Sequence, residues 1–599
     1  MVKDDYSEWS KEELIKEIIK LKKRKKYGIV WHETNIKEKI VELCKKRLPV
    51  LEEIQENKIN NEVNKPTHIL IEGDNYHALS VLNYTHKGKI DLIYIDPPYN
   101  RGKEGFRYND KIVDNEDPYK HSKWLSFISK RLILAKNLLK NEGIIYISID
   151  ENEFAQLKLL CDDIFNENNF LACITWKQLH TVKNNAKYFS KSTEYILVYG
   201  KNIRHIDNIR QPSDKLINYP HNDEDGKGYY KLDPLSARNK NTEYEFYFDR
   251  WNLHWKAPKG SYPRYSEDTL KKMYFDNEIV YKEGWKDPKA KRYYERVQEG
   301  VPPSTFWDGS EVGFNASATK ELASILSRDA FLSPKPTSLI KRCIEIGSKN
   351  KNAIVLDFFA GSGTTGHAVL ELNKEDDGNR KFILCNNNEE NIFTEVCYPR
   401  IRNIIQGYQF EGEEYKLLFE EKITLSKIKK LVDMPDIMNG IIEENKSKYV
   451  RIEKEFKNNT IAIYGINYTK DFKEGLGGNL KYFRTDFVDA EPTDRNKRKL
   501  VDKSTEMLCL KEDCFDEFKN GIDYKIFKNV QDKYLGIIYD DEGIEPFKKE
   551  VKELNKHFIV YVFSLDENAR EEDFEDIANL VELRPIPSVI LNVYRRIFK

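Results

Sequence analysis

Apolar residues along this chain fall into two rhythms. From Thr67 onward, short runs in which nearly every position is apolar alternate with longer stretches where apolar positions recur every three or four residues. The runs HILIEGD (68–74), KIDLIYIDPPYN (89–100), GIIYISID (143–150) and EYILVYGK (194–201) read as buried strands. Between them, Trp124, Ile128, Leu132, Ala135 and Leu138 share one face of a helix predicted over 122–141, which Gly143 stops. Strands this uniformly apolar, alternating with helices, predict a mostly parallel α/β sheet. The pattern resumes with a turn and helix in PKPTSLIKRCIEIG (334–347). Strand, glycine loop and helix follow in NAIVLDFFAGSGTTGHAVLELN (352–373), and another strand in RKFILCNNNEEN (380–391).

The stretch between these halves breaks the rhythm. Residues 201–300 hold 20 Lys/Arg, 17 Asp/Glu and 17 aromatics, Trp251, Trp255 and Trp285 among them. Such a segment suits an inserted recognition domain, or an ordinary second domain with an aromatic core. Before Thr67, Ser10 and Glu13 form a capping-box signature, and Leu14, Ile18 and Leu21 share a face of the helix that follows. After about residue 410 the chain is mixed and charged, with strand-like pieces at TIAIYGI (460–466) and KYLGIIYDD (533–541).

Composition narrows the class. The 599 residues exceed one core and suggest three or four domains. With 98 Lys/Arg against 99 Asp/Glu the net charge is −1, which argues against a nonspecific coat of phosphate contacts but leaves room for a local basic cleft. No apolar run is long enough to span a membrane, and the charged start MVKDDYSEWSKEELIKE is unlike a signal peptide. Eight cysteines without CxxC spacing speak against a disulfide framework and a zinc site, and for a reducing compartment.

Two motifs carry the chemistry. In Asp357-Phe358-Phe359-Ala360-Gly361-Ser362-Gly363-Thr364-Thr365-Gly366, a strand turns through glycines into a helix. Such a loop lets a ligand approach the backbone and presents helix N–H groups to it. By itself it fits NAD, FAD or S-adenosylmethionine. An NAD site wants an acid about 20 residues on, whereas Cys385-Asn386-Asn387-Asn388 ends the next strand and the first acid is Glu389. The second motif, Asp96-Pro97-Pro98-Tyr99, also closes a buried strand. Clefts in open α/β sheets form at the carboxyl ends of strands, so both motifs can face one cleft. An exocyclic amine on a base is a poor nucleophile, and two acceptors aimed at its N–H bonds help it attack. The Asp96 carboxylate and the Pro97 carbonyl are such acceptors, and Tyr99 offers a face on which an extruded base can stack. No GxxxxGK[ST] loop is present, so P-loop ATP hydrolysis is not expected, and acid-x-Lys strings such as Glu550-Val551-Lys552 mean little in a chain this charged, so any DNA cleavage is expected to belong to another polypeptide.

Together DPPYN and DFFAGSGTT resemble the S-adenosylmethionine-dependent amino-methyltransferases of DNA. The order, with DPPY first and a long insertion before the glycine loop, resembles the β-group. The fuller resemblance is to modification (Mod) subunits of Type III restriction–modification systems, carried also by EGDNYHALSVL (72–82), STEYILVYGKN (192–202), FLSPKPTSLIKR (331–342) and NLKYFRTDFVD (479–489). The resemblance implies that Asp96, Pro97, Pro98 and Tyr99 hold the target adenine. It implies that Asp357, Phe359, Gly361, Gly363 and Thr364 form the cofactor loop, with Lys335 and Pro336 near the cofactor and Asp74 and Asn75 beside its adenine. Either Asn386 or Glu389 would serve the ribose, and no metal is needed.

The fold so implied is a Rossmann-like methyltransferase of about seven strands (65–201 and 331–410), preceded by a helical segment (1–64). It is interrupted by a target-recognition domain (202–330) and followed by a C-terminal α+β dimerisation or partner-docking domain (411–599). The implied function is transfer of a methyl group to adenine N6 in double-stranded DNA. The implied setting is a homodimer in the bacterial cytoplasm, away from membranes, with a restriction (Res) helicase–nuclease as partner. Cytosine N4 or an RNA base are alternative acceptors on the same fold. An NAD-dependent oxidoreductase is the alternative from another reaction class, and it leaves Asp-Pro-Pro-Tyr without a role.

Overall fold

The computed structural model describes residues 38–590 apart from 61–64, 103–106, 109–110, 115, 182–185, 208, 212–218, 239, 295–300, 327–329, 332, 423–433, 458–459, 490, 492, 564–570 and 588–589, and in addition 10–12, 15 and 31. Glu13, Leu14, Ile18 and Leu21, on which the N-terminal helix rested, lie outside the described residues. The chain forms two compact units, Met1–Asp207 with Thr305–Lys599, and Asn208–Ser304.

The larger unit is organised on a ten-stranded sheet. In chain order its strands are β1 (Leu48–Glu53), β2 (Thr67–Glu72), β3 (Ile90–Ile95), β4 (Leu139–Ile149), β5 (Phe170–Lys177), β6 (Thr193–Gly200), β7 (Phe306–Asp308), β8 (Ile354–Asp357), β9 (Lys381–Asn386) and β10 (Asn479–Val488). They lie side by side as β1-β10-β2-β9-β8-β3-β4-β6-β5-β7. The run from β10 through β2, β9, β8 and β3 to β4 is parallel. β6 runs antiparallel to both its neighbours, β4 and β5, and β1 runs antiparallel to β10. All six residues of β3 are buried, as the central strand of a sheet covered on both faces requires. Covering it are α1 (Lys39–Lys46), α2 (Asn75–Thr85), α3 (Lys120–Leu138), α4 (Asn315–Leu326), α5 (Thr337–Gly347), α6 (Thr364–Asp376), α7 (Tyr398–Gln406) and α8 (Asp494–Glu512). The helix predicted over 122–141 is α3, and Leu139 already starts β4, four residues before Gly143.

The sheet is wider than the expected seven strands for three reasons. Leu48–Glu53, within the segment read as helical (1–64), is a strand paired with β10. Phe306–Asp308 pairs in parallel with β5, and α4 packs on α7, so residues 305–326 belong with the main sheet although the sequence reading assigned them to the insertion. β10, assigned by sequence to a separate C-terminal domain, sits between β1 and β2. Its lysine hid it: Lys481 is buried, with Nζ 2.6 Å from Glu53 Oε1. The remaining C-terminal part carries a five-stranded sheet (516–520, 524–528, 534–538, 558–562, 581–583) with the helix Ile544–Leu554 against it. One face forms its own core around Phe547, Val551 and Phe558, while Phe527, Leu535 and Ile537 join the core of the main sheet.

The smaller unit holds a four-stranded antiparallel sheet, a hairpin (245–248 with 253–256) and the helix Glu267–Phe275, capped by Ser266. Phe248, Trp255 and Tyr274 are buried at its centre, so much of the aromatic richness of this stretch forms a core.

Candidate active site

The carboxyl ends of β2, β3, β4, β8 and β9 open into one cleft of about 1950 Å³. Asp357, the last residue of β8, is buried. Its Oδ1 accepts from Phe359 N (2.9 Å) and its Oδ2 from Thr365 Oγ1 (2.6 Å), which ties the start of the loop to the first turn of α6. Burial pushes its carboxyl up to about 7. Gly361 and Gly363 have φ of +49° and +80°, a left-handed backbone that favours glycine. A Cβ on Gly366 would stand 2.6 Å from Ile401 Cδ1, so this third glycine is where α6 packs closely on α7. Beneath the loop lies Arg400, fully buried, whose guanidinium donates to Thr364 Oγ1 (2.9 Å), Ser362 Oγ (3.3 Å), Thr337 Oγ1 (3.1 Å) and Glu321 Oε1 (2.8 Å).

At the end of β2, Asp74 caps α2 by accepting from Tyr76 N (2.7 Å). Arg131 of α3 donates to Asn75 Oδ1, to Glu38 Oε1 (2.6 Å) and to both Asp74 oxygens (3.3 Å). Asn75 in turn donates to the Phe358 carbonyl (3.0 Å). With both ends of its amide engaged, Asn75 serves as a strut between α3 and the glycine loop.

The third element is Asp96-Pro97-Pro98-Tyr99 after β3. Trp124, buried in α3, donates Nε1–H to the Pro98 carbonyl (2.7 Å), which leaves the Pro97 carbonyl as the acceptor. The Tyr99 hydroxyl donates to Asp96 Oδ1 (2.6 Å) and reaches Glu194 Oε2 (3.2 Å). Burial, with Asp96 and Glu194 beside it, holds that phenol well above its ordinary range. Lys335 brings its amine to 3.0 Å from Asp96 Oδ2, Glu194 Oε2 and the Tyr99 oxygen alike. Burial pulls this amine down, but the two carboxylates outweigh it and raise it overall. Arg101 adds a pair with Asp150 (2.6 Å) and stands 5.0 Å from the Tyr99 ring centre.

Of the residues singled out by sequence, Asp74, Asn75, Asp96, Pro97, Pro98, Tyr99, Lys335, Asp357, Phe359, Gly361, Thr364, Asn386 and Glu389 all line this cleft. Pro336 and Gly363 are buried behind its wall, Pro336 as the residue capping α5 and Gly363 as that capping α6. Sequence reasoning missed Glu194, Arg101, Asp150, Arg131 and Arg400. Asp150 was findable, because it ends a predicted strand. Glu194 was not, because it begins its strand and reaches the carboxyl edge only through the reversed direction of β6.

The lining also discriminates between ligands. Glu38, Asp74, Asp96, Asp150, Glu151, Glu194, Asp357, Glu389, Glu390 and Glu395 face Lys39, Arg101, Lys191 and Lys335, ten carboxylates against four cations. That balance suits a cationic ligand and opposes a dinucleotide pyrophosphate.

The N6/N4 methyltransferase family model, described as DNA methylase, matches residues 90–394. The chain belongs to this DNA methylase family. The match runs from β3 past β9, so the smaller unit is an insertion within the DNA methylase region. Among curated relatives, the StyLTI Mod subunit of a Type III restriction–modification enzyme from Salmonella typhimurium is 34% identical over 356 residues, 54% of this chain and 53% of the relative. The EcoPI Mod subunit from Escherichia phage P1 is 32% identical over 57% of this chain and 61% of the relative. The Type II methyltransferase M.KpnI from Klebsiella pneumoniae is 33% identical over 54% of this chain and 82% of the relative. The chain thus spans about half to three-fifths of the two Mod relatives. Among solved structures, M1.HpyAVI with SAM is 16% identical over 56% of this chain and 98% of that one, with a TM-score of 0.26.

Proposed function

We propose that this DNA methylase transfers a methyl group from S-adenosylmethionine to the N6 amine of an adenine extruded from duplex DNA. The observation that carries the reading is the shared cleft, in which Asp96 to Tyr99 and the 357–365 loop face the same space. The glycine loop, Asp357 and the carboxylate-rich wall fit a sulfonium cofactor that also carries an ammonium group; Asp74, Asn75, Asn386 and Glu389 line the same cleft and would take its nucleoside half. When bound, that cofactor supplies an electrophilic methyl group.

The chain's own part is to hold and activate the amine. Asp96 and the Pro97 carbonyl accept its two N–H bonds and so favour a tetrahedral nitrogen with an available lone pair. Each Asp96 oxygen keeps a second lone pair beyond its bond to Tyr99 or Lys335. Tyr99, braced by Asp96, Glu194 and Lys335, presents a fixed ring for stacking, worth about 1–3 kcal/mol against the few kcal/mol that extrusion costs. Fixing the amine in place contributes further through orientation.

By likeness to the Mod subunits, the chain is the modification subunit of a Type III system. It would act as a homodimer in the bacterial cytoplasm, with residues 208–304 reading the DNA sequence and a separate restriction subunit as partner. Incubating the purified chain with labelled S-adenosylmethionine and bacterial DNA, then hydrolysing the DNA, tests the reaction. N6-methyladenine is the expected product, Asp96→Ala should abolish it while cofactor binding persists, and N4-methylcytosine would reassign the acceptor. Long-read mapping should find the modified adenines on one strand of an asymmetric site. Co-expression with a Type III restriction (Res) subunit should yield a stable complex.

A further inference from the structure

The turn between β5 and β6 carries two adjacent aromatic side chains that the fold does not bury. Tyr188 is 81% and Phe189 92% exposed, among the most exposed large apolar side chains of the described residues. The stem beneath them is firm. Lys177 pairs with Thr193 as the last rung of the ladder, and Gln178 N donates to Ser192 O (2.9 Å). Asn315 braces the same point, its Nδ2 donating to Gln178 Oε1 (2.5 Å). Because β6 runs antiparallel to β4, this turn emerges at the carboxyl edge of the sheet. Gln178, Leu179 and Lys191 at its foot line the cleft with Asp96 and Tyr99. Lys191 pairs with Glu151, next to Asp150, and Glu194 is bound to Tyr99 and Lys335. The exposed pair therefore stands on a rigid stem at the rim of the space into which a base must be drawn.

Its chemistry favours one occupant. Lys187 lies 5.2 Å from the Tyr188 ring centre, and Lys191 follows three residues later, so the aromatic tip is flanked by cations. Aromatic side chains between lysines match the alternation of base stack and phosphate in nucleic acid. Extruding one base leaves a gap in the stack, and apolar wedges inserted at such steps are a recurrent way to hold a duplex open.

Resting on the proposed function, we propose that Tyr188 and Phe189 enter the duplex at the gap left by the target adenine and stack on the bases that border it. They are positioning residues, acting on the DNA and leaving the methyl-transfer chemistry to Asp96 and its neighbours.

The test uses the full chain and a duplex carrying the modified site mapped by long-read sequencing. One substrate pairs the target adenine with thymine. The other places it opposite an abasic position, where extrusion is already easy. Tyr188→Ala/Phe189→Ala should lower kcat/KM on the paired duplex about 10- to 100-fold and on the abasic duplex less than about threefold, with cofactor affinity unchanged. Tyr188→Phe/Phe189→Trp should restore the paired substrate, since both keep a stacking face. Equal losses on both substrates, or no loss on the paired one, would overturn the proposal. If the wild-type chain methylates neither duplex, the reading of function falls first.

Discussion

Lys335 Nζ stands 3.0 Å from Asp96 Oδ2 and 3.0 Å from Glu194 Oε2, so one ammonium holds two carboxylates at the place where the amine must be received. Without that cation, the two carboxylates face each other uncompensated at the Asp-Pro-Pro-Tyr loop. Lys335→Met should therefore lower kcat by about one to two orders of magnitude. Single-turnover rates of both forms at saturating cofactor would decide it; an unchanged rate would mean that Lys335 does not position Asp96.

Asp357 should make cofactor binding sensitive to protons. Its folded carboxyl is raised to about 7 from an ordinary 3.8. A group raised in the folded state contributes stability below its unfolded value, and loses it as pH rises through the folded one. The free protein should lose stability from this group between pH 4 and 7. A cationic ligand beside it favours the ionised form, so binding at pH 6.5 should release a fraction of a proton. Calorimetry in two buffers of different ionisation enthalpy measures that number, and Asp357→Asn should abolish it.

Acid should unfold the protein through its buried histidines. Burial pulls His68 and His86 down to about 3 and His77 to about 4. These rings fold neutral, so their contribution is complete above about pH 6.5 and is lost as pH falls below it, at up to ~1.4 kcal/mol per unit for each. His68, stacked on Phe382 at 4.2 Å, accepts from Phe382 N and is the most enclosed. Urea midpoints at pH 7.5 and 5.0 should differ clearly, and His68→Phe should narrow the gap while lowering both midpoints.

Arg400 supports the glycine loop from below. Arg400→Met takes the guanidinium from half-buried Glu321, which keeps Thr337 and His367 beside it, and frees Ser362 and Thr364, at a cost of about 1–3 kcal/mol for the hydrogen bonds left unmade. Thermal unfolding should show the loss, and the affinity for S-adenosylmethionine should weaken. Adding Glu321→Gln removes the charge that the guanidinium had met, so the double variant should regain part of the stability and little of the affinity.

The central strands and both loops were legible because their chemistry is local. β3 is apolar but for Asp91, β8 is Ile-Val-Leu before its aspartate, and Asp96 and Asp357 close them. What escaped depends on direction or distant pairing. Glu194 was invisible as a cleft residue because a strand's sequence does not tell which way it runs. β10 reads as polar until Lys481 meets Glu53, and the bonds of the Asn75 amide to Arg131 and Phe358 depend on residues far off in the chain. The insertion's ends were misplaced because β7 is three residues long, too short for a periodicity.

β10 lies between β1 and β2, and Asp74 and Asn75 follow directly from β2. On the ribosome, the edge that supports them stays open until residues 479–488 have left the exit tunnel. A nascent chain halted at 410 would carry both motifs yet lack an interior strand of its sheet. Methylation competence thus arrives late in synthesis, and a gene cut after the second motif should yield an inactive, aggregation-prone product rather than a minimal enzyme.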